Sequence, residues 1–259
     1  MTTLERRAFC AVVAAAALSG GSARAAASPA DVRVAAASDL KFALAELAAR
    51  YERETGQRVQ PSLGSSGNFA QQIRQGLPVD LFMSADEAFV FQLADAGLTT
   101  DRGVLYAQGR IAAVVPAKSP IDLDAQLRGL RASWSSVTSF AIANPEHAPY
   151  GRAAQQALQR LDLWDLVRTR LVLGENISQA TQFVASGAAQ AGITALSLAL
   201  APEVARAVRQ VVLPTRLHDP LRQRMVLLKG AKPQAVGFYR YVQGPDAKAV
   251  LSRHGFVFE

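Results

Sequence analysis

Short apolar runs alternate with longer segments of helical periodicity along most of this chain. The apolar run at 32–37 predicts a buried strand, and from Ser38 onward apolar residues recur at helical spacing as far as Tyr51. Gly56 then predicts the end of that helix. The same reasoning predicts strands at 57–63, 79–84, 111–115, 140–143, 171–173, 191–194, 211–213 and 225–228, and helices at 68–75, 86–96, 151–161, 178–186 and 233–242.

The order of these elements predicts an α/β fold. Strands that alternate with helices favour parallel strands, right-handed crossovers and a sheet covered by helices on both faces. The pattern fills the first half of the chain and occurs again in the second, with no low-complexity linker between the halves. We therefore expect two α/β lobes joined by crossing strands, rather than two domains on a flexible tether.

The N-terminal segment has the features of an export signal. Arg6 and Arg7 precede a short apolar run at 11–18, and Ala-Arg-Ala at 23–25 is typical of a cleavage site. The apolar run is shorter than the ~20 residues of a membrane span. We expect residues 1–25 to be a signal peptide and the mature protein to be periplasmic. Cys10, the only cysteine of the chain, falls in this segment, so no disulfide is expected.

The charge of the chain is basic but dispersed. The formal net charge is +7, the arginines are scattered along predicted helices, and aromatic residues make up only 7% of the chain. Nucleic-acid-binding proteins concentrate their basic residues in a patch or stripe. We expect a solvated basic surface and no nucleic-acid partner. The predicted two-lobed architecture, rather than the charge, leads us to expect a monomer.

Candidate chemistry lies in four turns where a predicted strand meets a helix. In open α/β sheets, ligands bind beyond the carboxyl ends of the strands, where helix N-termini offer free N–H groups and a partial positive charge. Serine adds a hydroxyl donor, and glycine allows close approach of the main chain. The first two turns contain no lysine or arginine, which predicts an anion site built from amides and hydroxyls. The four turns are 35–38, 64–68, 144–151 and 175–177.

Simpler interpretations of these residues remain open on sequence grounds. Ser38 is explained equally by helix capping, 64–68 by a solvated loop, and Asn68 by capping of its own helix. Glu146 and His147 alone are too few to predict a metal site. No series of nucleophile, base and acid has a recognisable spacing, so we expect no enzymatic activity, no cofactor and no cation site.

Together, these turns resemble the periplasmic molybdate-binding protein family over essentially the whole chain after residue 25. The resemblance implies a type II periplasmic-binding-protein fold, in which two α/β lobes close over the ligand about a two-strand hinge. It places lobe 1 at 26–110 plus 219–259 and lobe 2 at 111–218, with the hinge near 109–113 and 213–220. The motifs that carry it are Ala-Ala-Ala-Ser at 35–38, Gly-Ser-Ser-Gly-Asn at 64–68, Pro-Val-Asp-Leu-Phe-Met-Ser-Ala-Asp at 78–86 and Asn-Pro-Glu-His-Ala-Pro-Tyr-Gly at 144–151.

The resemblance also implies a ligand and its contacts. Ser38 and Ser66 would bind an oxyanion through hydroxyl and backbone N–H, and Tyr150 and Ile177 through backbone N–H alone. Residues of second rank are Asp39, Ser65, Gly67, Asn68 and Thr194. The implied ligand is molybdate, with tungstate, and the implied partner is an ABC-type membrane permease. Another tetrahedral oxyanion such as sulfate or phosphate is the alternative, and an enzyme acting on a phosphoryl substrate is a weaker one.

This chain departs from the family pattern at two positions. Many members place a tyrosine after a Gly-Ile-Val-like strand, whereas Gly-Ile-Thr-Ala stands at 192–195 here. We hypothesise that the hydroxyl of Tyr150 takes over the role of that missing phenol. Asp39 follows Ser38 directly, and because its charge would repel a dianion we predict that its carboxylate points outward.

Overall fold

The computed structural model describes residues 31–258, and its ten strands form two five-stranded sheets. The predicted signal peptide, residues 1–25, lies outside the described residues. The first sheet has the strand order β2-β1-β3-β10-β4 and the second the order β7-β6-β8-β5-β9. The strands are β1 Val32–Ala37, β2 Val59–Gly64, β3 Leu81–Ser84, β4 Val104–Gly109, β5 Ile111–Pro116, β6 Phe140–Ala143, β7 Leu171–Gly174, β8 Ala191–Ala195, β9 Val208–Val212 and β10 Leu221–Leu227.

The helices lie on the faces of the two sheets. A 3-10 turn at Ser38–Leu40 precedes the first helix, which ends before Gly56 with its positive φ of 70°. Among the described residues, no helix has both the length and the apolar character needed to span a bilayer. The helices are α1 Lys41–Thr55, α2 Ser66–Arg74, α3 Glu87–Asp95, α4 Arg128–Ala132, α5 Pro149–Arg160, α6 Trp164–Val167, α7 Ile177–Ala185, α8 Leu196–Ala199, α9 Pro202–Ala205, α10 Pro233–Gln243 and α11 Pro245–Arg253.

The parallel strands that the strand–helix order predicts are confirmed at β1–β3 and at β6–β8, and each sheet also contains antiparallel strands. β1 runs parallel to β2 and β3, and β6 runs parallel to β7 and β8. β10 is antiparallel to β3 and β4, and β5 is antiparallel to β8 and β9. The antiparallel strands lie where the chain crosses between the sheets. It passes from β4 of the first sheet to β5 of the second through Arg110 alone, and it returns from β9 to β10 through residues 213–220.

Burial on β1 shows how helices cover both faces of the first sheet. Val34 belongs to the apolar cluster that contains Phe238 of α10, whereas its neighbour Ala35 belongs to the cluster on the opposite face with Phe69 of α2. Alternation of this kind follows from the two-residue period of a strand. The carboxyl ends of β1 and β2 are thereby fixed next to each other, and each leads directly into a polar turn.

Candidate functional site

A small cavity lies between the two sheets, where helix N-termini from both lobes meet. Ser38 and Ser66 contribute to it from the first sheet, and Tyr150 and Ile177 contribute from the second. The structure thus brings the four residues predicted to contact the ligand to one place. No lysine or arginine is among the described residues that line this cavity.

The backbone geometry leaves the N–H groups of these four residues available to a ligand. Ser66 and Ile177 are the first residues of α2 and α7, and Tyr150 follows Pro149 at the start of α5. First-turn N–H groups have no acceptor within their own helix. Within residues 31–258, the backbone N–H groups of Ser38, Ser66, Tyr150 and Ile177 form no hydrogen bond to a protein acceptor. Four N–H donors are therefore free to bind an anion.

The two serine hydroxyls differ in their present partners. Ser66 Oγ accepts the N–H of Ala85 at 2.9 Å, which leaves the hydroxyl proton free to donate. Ser38 Oγ accepts the N–H of Ser178 at 3.2 Å and donates to Asn176 Oδ1 at 3.1 Å. The Ser38 hydroxyl therefore bridges the lobes directly, and a ligand that takes its proton must displace Asn176.

The turn at 64–68 also contacts the second lobe. Gly67 N–H donates to His147 O at 2.9 Å, and Ser65 Oγ lies 2.9 Å from His147 Nδ1. Asn68 Nδ2 donates to Glu175. The prediction that Asn68 caps its own helix was wrong, because Ser65 Oγ caps α2 by accepting the N–H of Asn68. Among the described residues, no three His, Cys, Asp or Glu side chains are grouped to hold a metal ion.

The carboxylate of Asp39 points inward, so the prediction of an outward carboxylate was wrong. Asp39 is only 1% exposed, and its Oδ2 accepts hydrogen bonds from the Tyr150 hydroxyl at 2.9 Å and from Gln223 Nε2. Tyr106 in turn donates to Gln223 Oε1 at 2.6 Å. Burial raises the pKa of Asp39 to about 6, against the lowering effect of Gln223 and Tyr150. Neutral hydrogen-bond donors make the inward position tolerable.

The hydroxyl of Tyr150 already has hydrogen-bond partners within the protein. Its single proton goes to Asp39 Oδ2, and its oxygen accepts from Gln223 Nε2 at 3.1 Å. Burial, and then the nearby Asp39, raise the pKa of this phenol well above its usual range. The geometry therefore gives no support to the hypothesis that the hydroxyl replaces the missing family tyrosine, and the amide is the donor of Tyr150 that remains. Thr194 is buried away from the cavity, with its hydroxyl paired to that of Thr181.

Comparison with known proteins places this geometry in a family. Residues 32–257 match the family model described as bacterial extracellular solute-binding protein. The chain belongs to this family. Membership confirms the prediction that the protein binds a solute rather than catalysing a reaction.

Relatives within this family align with nearly all of the chain. A molybdate-binding protein of Azotobacter vinelandii is 34% identical, over 93% of this chain and 95% of its own length. A putative ABC transporter substrate-binding lipoprotein of Bacillus subtilis is 30% identical, over 87% and 86%. The structure of the Azotobacter vinelandii periplasmic molybdate-binding protein superimposes with a TM-score of 0.81 at 30% identity, over 88% of this chain and 99% of that one. This match confirms the predicted type II periplasmic-binding-protein fold.

Sequence reasoning missed several residues that organise the site. Asn176 lies in the predicted turn at 175–177, two residues before the predicted helix, so its role as the N-cap of α7 carried a local signal. Gln223 and Tyr106 carried none, because they come from strands β10 and β4 and meet Asp39 only through the tertiary fold. His147 was considered as a metal ligand, whereas the structure pairs it with Ser65.

Proposed function

We propose that this protein captures molybdate, and with it tungstate, between its two lobes and delivers the anion to an ABC-type membrane importer. The observation that carries the proposal is the cavity to which Ser38, Ser66, Tyr150 and Ile177 bring four free N–H groups and no cationic side chain. Relatives at 34% and 30% identity are described as a molybdate-binding protein and as a putative ABC transporter component. Both descriptions agree with that chemistry.

The donors available suffice for useful affinity. Four amides and the Ser66 hydroxyl can converge on the oxygens of one tetrahedral anion, and the Ser38 hydroxyl can join them once it is released from Asn176. Hydrogen bonds to a charged group contribute roughly 1.5–3 kcal/mol each. Micromolar to nanomolar binding needs about 8–12 kcal/mol after the cost of association is met. Six such bonds contribute roughly 9–18 kcal/mol before the cost of association, so the upper part of this range reaches that affinity without a salt bridge.

Ligand capture involves both lobes, because the donors come from both. An anion that contacts Ser38 and Ser66 on one side and Tyr150 and Ile177 on the other stabilises the closed arrangement over an open one. The closed form presents both lobe surfaces together, and this is the form that a permease would recognise. We propose the periplasm as its location, in line with the export signal predicted at residues 1–25.

Calorimetric titration of the purified, desalted protein tests the proposal. Molybdate and tungstate should bind with similar affinity, and sulfate and phosphate at least a hundredfold more weakly. Fixed amide directions select the anion by size, and molybdate and tungstate are nearly the same size and larger than sulfate. Tight binding of sulfate or phosphate with no binding of molybdate would overturn the ligand assignment while leaving an oxyanion-binding protein.

A further inference from the structure

The two oxygens of the Asp39 carboxylate have different surroundings. Oδ2 accepts hydrogen bonds from Tyr150 and Gln223, whereas Oδ1 is buried and has no hydrogen-bond partner. Asp39 also lines the cavity beside Ser38. Buried polar atoms are nearly always paired, because leaving one unpaired is costly. The backbone N–H groups of Asp39 and Leu40 lower the pKa of this carboxyl, but neither forms a hydrogen bond of acceptable geometry to Oδ1. Oδ1 is therefore left for a partner that comes from outside the protein.

The groups that face Asp39 are all neutral. Tyr150 approaches from α5, Gln223 from β10 and, through Gln223, Tyr106 from β4. Ser197 of α8 donates to the backbone oxygen of Asp39 at 2.8 Å. In the part of the chain that the structure describes, no lysine, arginine or histidine hydrogen-bonds this carboxylate. A dianion bound at the same cavity would thus face an uncompensated negative charge if Asp39 were ionised.

We propose that Asp39 is a ligand-contacting residue that carries a proton on Oδ1 in the bound state and donates it to an oxygen of the anion. Each dianion then enters the site together with one proton taken from solvent. This inference rests on the proposed function, since it assumes an oxyanion between the lobes. It makes Asp39 a determinant of affinity that depends on pH, in a site whose other donors are amides and alcohols.

The acidity of Asp39 agrees with this role. Burial already raises its pKa to about 6, and a dianion alongside raises it further. At neutral pH the free protein is therefore mostly ionised at Asp39, and binding must take up the proton. The affinity for molybdate should fall close to tenfold for each pH unit between 7.5 and 9.

Proton uptake is measured directly by titrating molybdate in two buffers of different ionisation enthalpy at pH 7.5. We expect close to one proton per molybdate for the wild-type protein and close to none for Asp39→Asn. Asparagine keeps an acceptor for Tyr150 and Gln223 and places an N–H where the proton would be. The variant should therefore still bind molybdate, with an affinity that changes less than twofold between pH 7.5 and 9.

Asp80→Asn is the matched control. Asp80 is a buried carboxylate of the same lobe that accepts the backbone N–H groups of Arg33 and Lys232 and does not line the cavity. This variant should retain uptake of about one proton. Equal uptake in wild type and Asp39→Asn would overturn the inference.

If a variant fails to fold, the titration of the wild-type protein still tests the inference by itself. Molybdate binding without proton uptake, and with a constant affinity from pH 7.5 to 9, overturns the role of Asp39 and leaves the proposed function intact. Absence of molybdate binding to the wild type overturns the proposed function itself. The two failures are therefore distinguishable.

Discussion

The Ser66 hydroxyl makes a structural contact and keeps a free donor. It is fully buried, and its Oγ accepts the N–H of Ala85 at 2.9 Å while its proton has no acceptor among the described residues. Asp39 shows the opposite case, since one of its two acceptor atoms is left without a partner. At the scale of single residues, a substitution at Ser66 should therefore affect stability and binding together.

Ser66→Ala should lower both stability and affinity. Loss of the acceptor leaves the Ala85 N–H unpaired, which costs about 1–3 kcal/mol of unfolding free energy. Loss of the donor should weaken molybdate binding at least tenfold. Denaturant unfolding and calorimetry measure the two effects, with Ser62→Ala on the exposed side of β2 as the control. A stability loss with unchanged affinity would show that this hydroxyl does not contact the ligand.

Asp39 should also make folding stability depend on pH. Its pKa is about 6 in the folded protein and 3.8 as an ordinary aspartate. As pH rises through this window the unfolded chain loses its proton first, so stability falls. Relative to Asp39→Asn, the wild type should lose about 2 kcal/mol of unfolding free energy between pH 4 and pH 7.5, since one pKa unit equals about 1.4 kcal/mol. Parallel curves for the two proteins would contradict the buried position of this carboxylate.

At the scale of elements, α7 contributes its N-terminus to the site and to the contact between lobes. Asn176 caps this helix by accepting the N–H of Gln179 at 3.1 Å, and the same Oδ1 accepts the hydroxyl of Ser38. Capping and lobe contact therefore share one atom. Substituting Asn176 by alanine or by aspartate distinguishes the loss of the helix cap from a change of charge near the cavity.

Asn176→Ala should cost about 1 kcal/mol of unfolding free energy, because the cap of α7 is lost. Asn176→Asp keeps an acceptor for the Gln179 N–H and should retain wild-type stability. Its added negative charge lies near the cavity, so it should nevertheless weaken molybdate binding. Chemical denaturation and calorimetry on both variants check this. Wild-type affinity in the aspartate variant would indicate that α7 does not face the anion.

The predicted helices and strands agree with the structure where the local sequence pattern matches the burial found in the fold. β6 lies at Phe140–Ala143, as predicted, and α10 at Pro233–Gln243 differs from its predicted range by one residue. The prediction missed β4, whose residues are not uniformly apolar, the helices α4 and α11, and the four-residue helices α6, α8 and α9. Helices this short have little stability of their own and depend on packing. The antiparallel direction of β5 and β10 could not be predicted either, because it depends on which sheet each strand joins.

At the scale of the whole molecule, the lobes touch through backbone as well as side chains. Gly67 makes one such backbone contact, since its N–H donates to His147 O at 2.9 Å. A Cβ added to Gly67 would lie 2.6 Å from that same oxygen. This position therefore tolerates only glycine while the lobes are closed.

Gly67→Ala should hold the lobes apart without harming the fold. Alanine is the better helix former by about 1 kcal/mol, so stability should be equal to or above wild type. Molybdate affinity should fall at least tenfold, and small-angle scattering should show a smaller decrease in radius of gyration on adding molybdate. Gln71→Ala, exposed on the same helix, should behave as wild type. Full compaction of the glycine variant would show that this contact does not limit closure.

The sequence alone predicted the two α/β lobes and the four turns, and its family resemblance implied ligand contacts at Ser38, Ser66, Tyr150 and Ile177. The lobes and turns are local features, because apolar periodicity, caps and free N–H groups depend on neighbours along the chain. Only the tertiary structure decided that the strands are mixed in direction and that Asp39 turns inward. Its partners Tyr150 and Gln223 lie 111 and 184 residues away, and a carboxylate's position depends on which donors the fold brings to it.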